Sequence, residues 1–102
     1  MEVSEAFFYL EAMIARQVYY EGRVQGVGFR FSTKEIAKGF DVVGWVKNLP
    51  DGRVELQVAG EDSEVTAFLD EMTDGELSGF IRGVDVRQID VPADLRGFEI
   101  RR

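Results

Sequence analysis

A chain of 102 residues with 45% hydrophobic and 12% aromatic content has room for one domain around one modest core. It contains neither cysteine nor histidine, which excludes disulfides, thiolate nucleophiles, Cys- or His-based metal sites and any serine–histidine arrangement. The net charge of −7 opposes a nucleic-acid partner, yet residues 22–53 carry six basic and three acidic residues against six and sixteen in the remainder. An acidic chain with one locally basic third suits a small anionic ligand better than a polyanion. No run of 18 apolar residues is present, so no membrane span is expected. The apolar run Phe7–Leu10 is surrounded by Glu2, Glu5 and Glu11, unlike a signal peptide, and a cytoplasmic location is the expectation.

Along the chain, Val3, Phe7, Leu10 and Ile14 recur at helical spacing, which predicts an amphipathic helix over 2–14. From residue 16 to 24 the period changes to two: Val18, Tyr20 and Val24 alternate with Gln17, Tyr19, Glu21 and Arg23, the mark of a half-buried strand. A glycine-bearing loop, Gly22 to Gly28, precedes a second helical series, Phe29, Thr33, Ile36, Ala37 and Phe40, with Gly39 as its stop. Strands are expected at 42–48 and 53–59, joined through Leu49-Pro50-Asp51-Gly52, where proline fixes φ and glycine permits φ > 0. Val65, Phe68, Leu69 and Met72 predict a helix over 62–72, with an acidic first turn that suits the helix dipole. Strands at 82–89, with a bulge near Gly83, and at 97–101 complete the chain.

The order β-α-β-β-α-β plus a short C-terminal strand predicts an α+β, ferredoxin-like two-layer sandwich. Its sheet is expected to be antiparallel, with two helices on one face. Residues 1–15 read as an N-terminal extension and 16–102 as the domain proper. The extension leaves three readings open: packing on the body, self-association of an otherwise monomeric chain through residues 1–14, or a native start at Met13 instead of Met1.

The segment Gly22-Arg23-Val24-Gln25-Gly26-Val27-Gly28-Phe29-Arg30 links a strand to a helix. Glycines there let successive N–H groups converge, and a helix N-terminus adds more of them with a favourable potential for an anion. The segment lacks the G-K-[ST] of a Walker loop and the third glycine of a dinucleotide fingerprint, so nucleotide binding is not indicated. Arg30 falls in the first helical turn, where the dipole disfavours a cation. A phosphate held between its guanidinium and the loop amides would remove that conflict. The plainer alternative is a solvated arginine beside a turn that merely needs glycines. Asn48, closing Gly44-Trp45-Val46-Lys47-Asn48, is the second candidate, against the alternative of a structural cap next to the turn. Trp45 reads as packing, and Asp51 and Gly52 as turn-formers.

Taken together, the two segments carry a resemblance. Residues 22–30 resemble the acylphosphatase signature G-R-V-Q-G-V-x-F-R. Residues 44–55, Gly44-Trp45-Val46-Lys47-Asn48-Leu49-Pro50-Asp51-Gly52-Arg53-Val54-Glu55, resemble that family's second motif, G-W-V-x-N-x-x-D-G-x-V-E. The similarity covers about residues 16–102 and is less close between Thr73 and Gly79. The resemblance implies a ferredoxin-like enzyme that hydrolyses acyl phosphates without metal or cofactor. It implies that Arg30 and the amides of Gln25, Gly26, Val27, Gly28 and Phe29 bind the phosphoryl group, and that Asn48 orients the attacking water. The implied partner is a small-molecule acyl phosphate, with no nucleic acid and no membrane. Two alternatives stand beside this reading: a non-catalytic phosphate- or partner-binding module of the same type, and an RNA-binding sheet. The net charge and the helical placement of Phe29 and Phe31 oppose the latter.

Overall fold

The alternation read from Gln17 onward extends back to Met13 in the computed structural model, which describes residues 13–102: the first strand, β1, runs Met13–Gly22. The helix expected over 2–14 therefore does not reach its last two residues. Met13 pairs with Glu61 and Ile14 with Gly60, so a sheet ladder takes up their backbone groups. Ile14 fits a period of two with Val18 and Tyr20 as well as it fits helical spacing. Residues 2–12 of that expected helix lie outside the described residues.

The remaining elements fall close to their expected places. Helix α1 spans Phe29–Ala37 and buries Phe29, Thr33 and Ala37. It ends before Gly39, in bonds from Lys38 to Glu35, Gly39 to Ile36 and Phe40 to Ala37 that tighten the last turn. Strands β2 (Val42–Asn48) and β3 (Val54–Glu61) form the expected hairpin. Helix α2 covers Asp62–Asp74, with Asp62 and Glu64 in its first turn. A short 3-10 turn, Ser78–Phe80, leads into β4 (Ile81–Ile89), and β5 (Phe98–Arg101) follows. Glu21 pairs with Gly83 but Gly22 with Ile81, so Arg82 is the extra residue of a bulge beside Gly83.

The strands form one sheet in the order β4-β1-β3-β2-β5. The first four are mutually antiparallel, but β5 is parallel to β2, pairing Gly44 with Phe98 and Lys47 with Arg101. The expectation of a wholly antiparallel sheet is thus corrected to a mixed one. The reason is topological: β4 and β2 run in opposite directions, and the segment after β4 reverses the chain at one end of the sheet. It therefore enters the far edge running with β2.

Both helices lie on one face of the sheet, α1 against β2 and β5 and α2 against β3 and β1. Val18, Tyr20, Val46, Leu56, Phe68 and Met72 are fully enclosed between the layers. Phe68 on α2 meets Phe40 and Phe98 edge to face, with ring centroids 5.9 Å away in each case. These contacts tie the end of α1 and the start of β5 to the core. Among the described residues no helix is long and apolar enough to cross a membrane.

Gly44 lets β2 carry partners on both sides. A Cβ there would run into the Gln57 carbonyl of β3, while the Gly44 N–H donates to Gly97 O at 2.9 Å on the approach to β5. Gly44→Ala is expected to cost ~2 kcal/mol or more of stability, because backbone rather than a flexible side chain must yield. A urea titration showing an unchanged midpoint would contradict that reading.

Candidate active site

The loop between β1 and α1 begins where Gly22 leaves the sheet. Its path is fixed by the Arg23 N–H, which donates to Phe80 O at 2.9 Å, and by Val24, which is buried. Gly26 and Gly28 then adopt left-handed backbone conformations, with φ of 77° and 75°. A Cβ at either would meet open space, so the demand for glycine is conformational rather than steric. Gly28 is the N-cap residue of α1, without a side-chain capping bond, and no acidic residue occupies the first turn. The first helical bond runs from Ser32 N to Gly28 O, so the N–H groups of Phe29, Arg30 and Phe31 precede the helical ladder. Phe29 anchors this turn by packing its ring at 5.5 Å from that of Tyr20 on β1. Burial pushes the Tyr20 hydroxyl far up from its ordinary pKa, so this contact stays neutral and apolar.

Asn48 arrives from a different element by the period of the strand. Counting by twos from Gly44 and Val46 puts its side chain on the helix-facing side of β2, at the strand end beside the loop. Its Oδ1 is buried and has no hydrogen-bond partner among the described protein atoms. Gly26, Gly28, Phe29, Arg30 and Asn48 line a single cleft of about 200 Å³. The two residues singled out from the sequence, 18 positions apart, are thus brought together with both loop glycines.

Arg30 is half-buried, and its Nη1 donates to Arg101 O at 3.1 Å. The Arg101 side chain in turn lies over Trp45, with Cζ 4.7 Å from the ring centroid, so Trp45 packs as expected. Of the other residues expected at the loop, Val27 packs its side chain against the core. Gln25 turns its carboxamide away, donating from Nε2 to Leu49 O and Arg53 O at 2.8 Å each. Asp51 is the turn-former it was expected to be, accepting from the Arg53 N–H at 3.0 Å and from its Nε at 2.9 Å. Those bonds, the backbone one foremost, hold its carboxyl below the usual carboxylate range.

Other features of the cleft were not read from the sequence. Phe31 and Ile100 also line it, and the Arg101 carbonyl steadies Arg30. Ile100 and Arg101 are near the site because β5 is parallel to β2, with Ile100 opposite Val46. Only a correct strand order would have revealed them. Phe31 is 63% exposed and belongs to no periodic series, and the sequence pointed to it only within the RNA-binding alternative.

Fold and cleft together define a class: a two-layer α+β sandwich with a cleft at its strand-to-helix junction, lined by an arginine and two loop glycines. The profile of the acylphosphatase family matches residues 16–100. The acylphosphatase of Archaeoglobus fulgidus is 40% identical over 88 residues, covering 86% of this chain and 98% of its own length. That of Rubrobacter xylanophilus is 45% identical over 85 residues, covering 83% and 77%. Among solved structures, an acylphosphatase from Coxiella burnetii superposes with a TM-score of 0.81 at 31% identity, covering 91% of this chain and 97% of that one. The chain belongs to the acylphosphatase family, hydrolases that act on acid anhydrides.

Proposed function

We propose that this protein hydrolyses the carboxyl–phosphate bond of small acyl phosphates without a metal ion, using Arg30 and Asn48. The observation that carries the reading is the meeting of these two side chains with Gly26 and Gly28 in one cleft. Arg30 and the backbone amides of residues 25–30 grip the phosphoryl oxygens. The guanidinium offers paired donors and the helix end a positive potential. The buried Oδ1 of Asn48 accepts a hydrogen bond from a water and aims its oxygen at phosphorus. The new P–O bond forms as the bond to the acyl oxygen breaks. The carboxylate leaves with the electron pair, and the water's proton passes to solvent.

This chemistry suits a chain without histidine or cysteine. Phosphoryl transfer to water asks the protein chiefly for positioning and charge stabilisation, and a carboxylate leaves without needing a proton. Among the described residues no carboxylate lines the cleft, and no group of three or more acidic side chains converges in a way that could hold a metal.

The test is phosphate release from acetyl phosphate and benzoyl phosphate, with and without a chelator. Turnover that survives exhaustive chelation is expected. No turnover by pure, folded protein removes the catalytic reading, and turnover abolished by chelation removes its metal independence.

A further inference from the structure

We propose that Gln25 is a positioning residue, which ties the anion-binding loop to the strand end that carries Asn48. The proposal rests on the assignment of Asn48 to the attacking water and adds the device that fixes its distance from the phosphoryl group.

The geometry is that of a clamp. Gln25 lies on the loop between β1 and α1, yet its Nε2 donates to Leu49 O and Arg53 O, 24 and 28 residues away, at 2.8 Å each. Those carbonyls sit at the two ends of the β2–β3 turn. Each also accepts a bond from within the turn: Leu49 O from Gly52 N at 3.2 Å, and Arg53 O from Leu49 N at 2.9 Å. Gln25 therefore grips the turn end of the hairpin from outside and draws it against the loop. Leu49 is covalently next to Asn48, so the bond to its carbonyl acts one residue from the water-orienting side chain.

The residue type follows from the task. A neutral carboxamide nitrogen carries two protons, one for each carbonyl. Glutamate has the length but only acceptors, which would face two carbonyl oxygens. Asparagine has the donors but is one methylene short. Both amide protons of Gln25 are committed to the hairpin, so its side chain has no donor left for phosphate.

A displacement near 1 Å at a reacting group costs up to about 10²-fold in rate, and loss of the clamp permits a smaller sway than that. Gln25→Ala is expected to lower kcat about tenfold, while the inhibition constant of inorganic phosphate stays within about twofold of the wild type. In an Asn48→Ala background the same change should cost less than about twofold, since there is no longer an orienting group to misplace. Gln25→Asn serves as the second variant if Gln25→Ala does not fold, and the same split between kcat and phosphate inhibition is expected of it. Weaker phosphate inhibition with kcat intact would make Gln25 a phosphate ligand and overturn the proposal. An undiminished tenfold loss in the Asn48→Ala background overturns it too, as does wild-type kcat in both Gln25 variants. Full activity in Asn48→Ala itself would take down the assignment on which the proposal rests. Low activity there beside full activity in the Gln25 variants removes the clamp alone.

Discussion

Replacing Arg30 by alanine is expected to lower kcat/KM at least ~10²-fold, the scale of losing one preorganised electrostatic donor. Two effects add. Among the described residues Arg30 is the one cationic side chain that lines the cleft, and with it go the paired donors that match phosphoryl oxygens. The loop amides remain, because the path of the backbone is set by Gly26, Gly28 and the Arg23–Phe80 bond, so residual phosphate binding should persist at reduced affinity. Folding should suffer little, since Arg30 makes one side-chain bond, to Arg101 O, at a partly exposed site. Arg30→Lys separates charge from geometry: the ammonium keeps the charge but not the fork, and activity should fall between the alanine variant and the wild type. The measurement is steady-state hydrolysis of acetyl phosphate together with inhibition by inorganic phosphate. Wild-type kcat/KM in Arg30→Ala would end the assignment of Arg30 to the reacting phosphoryl group.

Replacing Asn48 by alanine should cost a similar ~10²-fold, but differently distributed. The carboxamide touches the water rather than the phosphoryl oxygens in the proposed step, so kcat should carry the loss while phosphate inhibition is nearly unchanged. Stability should fall little. The buried Oδ1 has no partner among the described protein atoms, so the substitution breaks no hydrogen bond within the protein and costs only the packing of the side chain. Asn48→Asp distinguishes the two contributions of the site. A carboxylate there still accepts a bond from water but repels the phosphate, so it should damage KM as well as kcat. An Asn48→Ala variant that loses phosphate binding in proportion to kcat would move Asn48 from water to phosphate.

Most of the fold was legible because the patterns were local. Val54, Leu56 and Val58 alternate cleanly, and Val65, Phe68 and Met72 keep helical spacing, so β3 and α2 appear where the sequence puts them. Pro50, Asp51 and Gly52 announced the turn through their own backbone preferences. Met13 and Ile14 were misread because Ile14 satisfies both periods, and only pairing with Glu61 and Gly60 decides between them. The direction of β5 was hidden for another reason: four residues of Phe-Glu-Ile-Arg say nothing about which neighbour they join. At the site, the unusual cation at a helix start marked Arg30 by a physical misfit, whereas Asn48 was a candidate from its place beside the turn and its role with water came from the resemblance. The engagement of Gln25 with the hairpin could not be foreseen, since its side chain reaches carbonyls 24 and 28 residues away, whereas only its backbone amide was expected to act at the anion.

The β5 strand has a consequence for how the protein fails. It is four residues long, mostly exposed, and among the described residues is bonded to the sheet on one side only, through β2. Elements of that kind open locally at a lower free-energy cost than the rest of a domain. Yet its last residue supplies the carbonyl that steadies Arg30, and Ile100 forms part of the cleft wall. On warming, the site should come apart by peeling of this edge while the four antiparallel strands and both helices are still intact. Heat inactivation would then run ahead of melting, and the temperature limit of the enzyme would be set by its most weakly held strand rather than by its core.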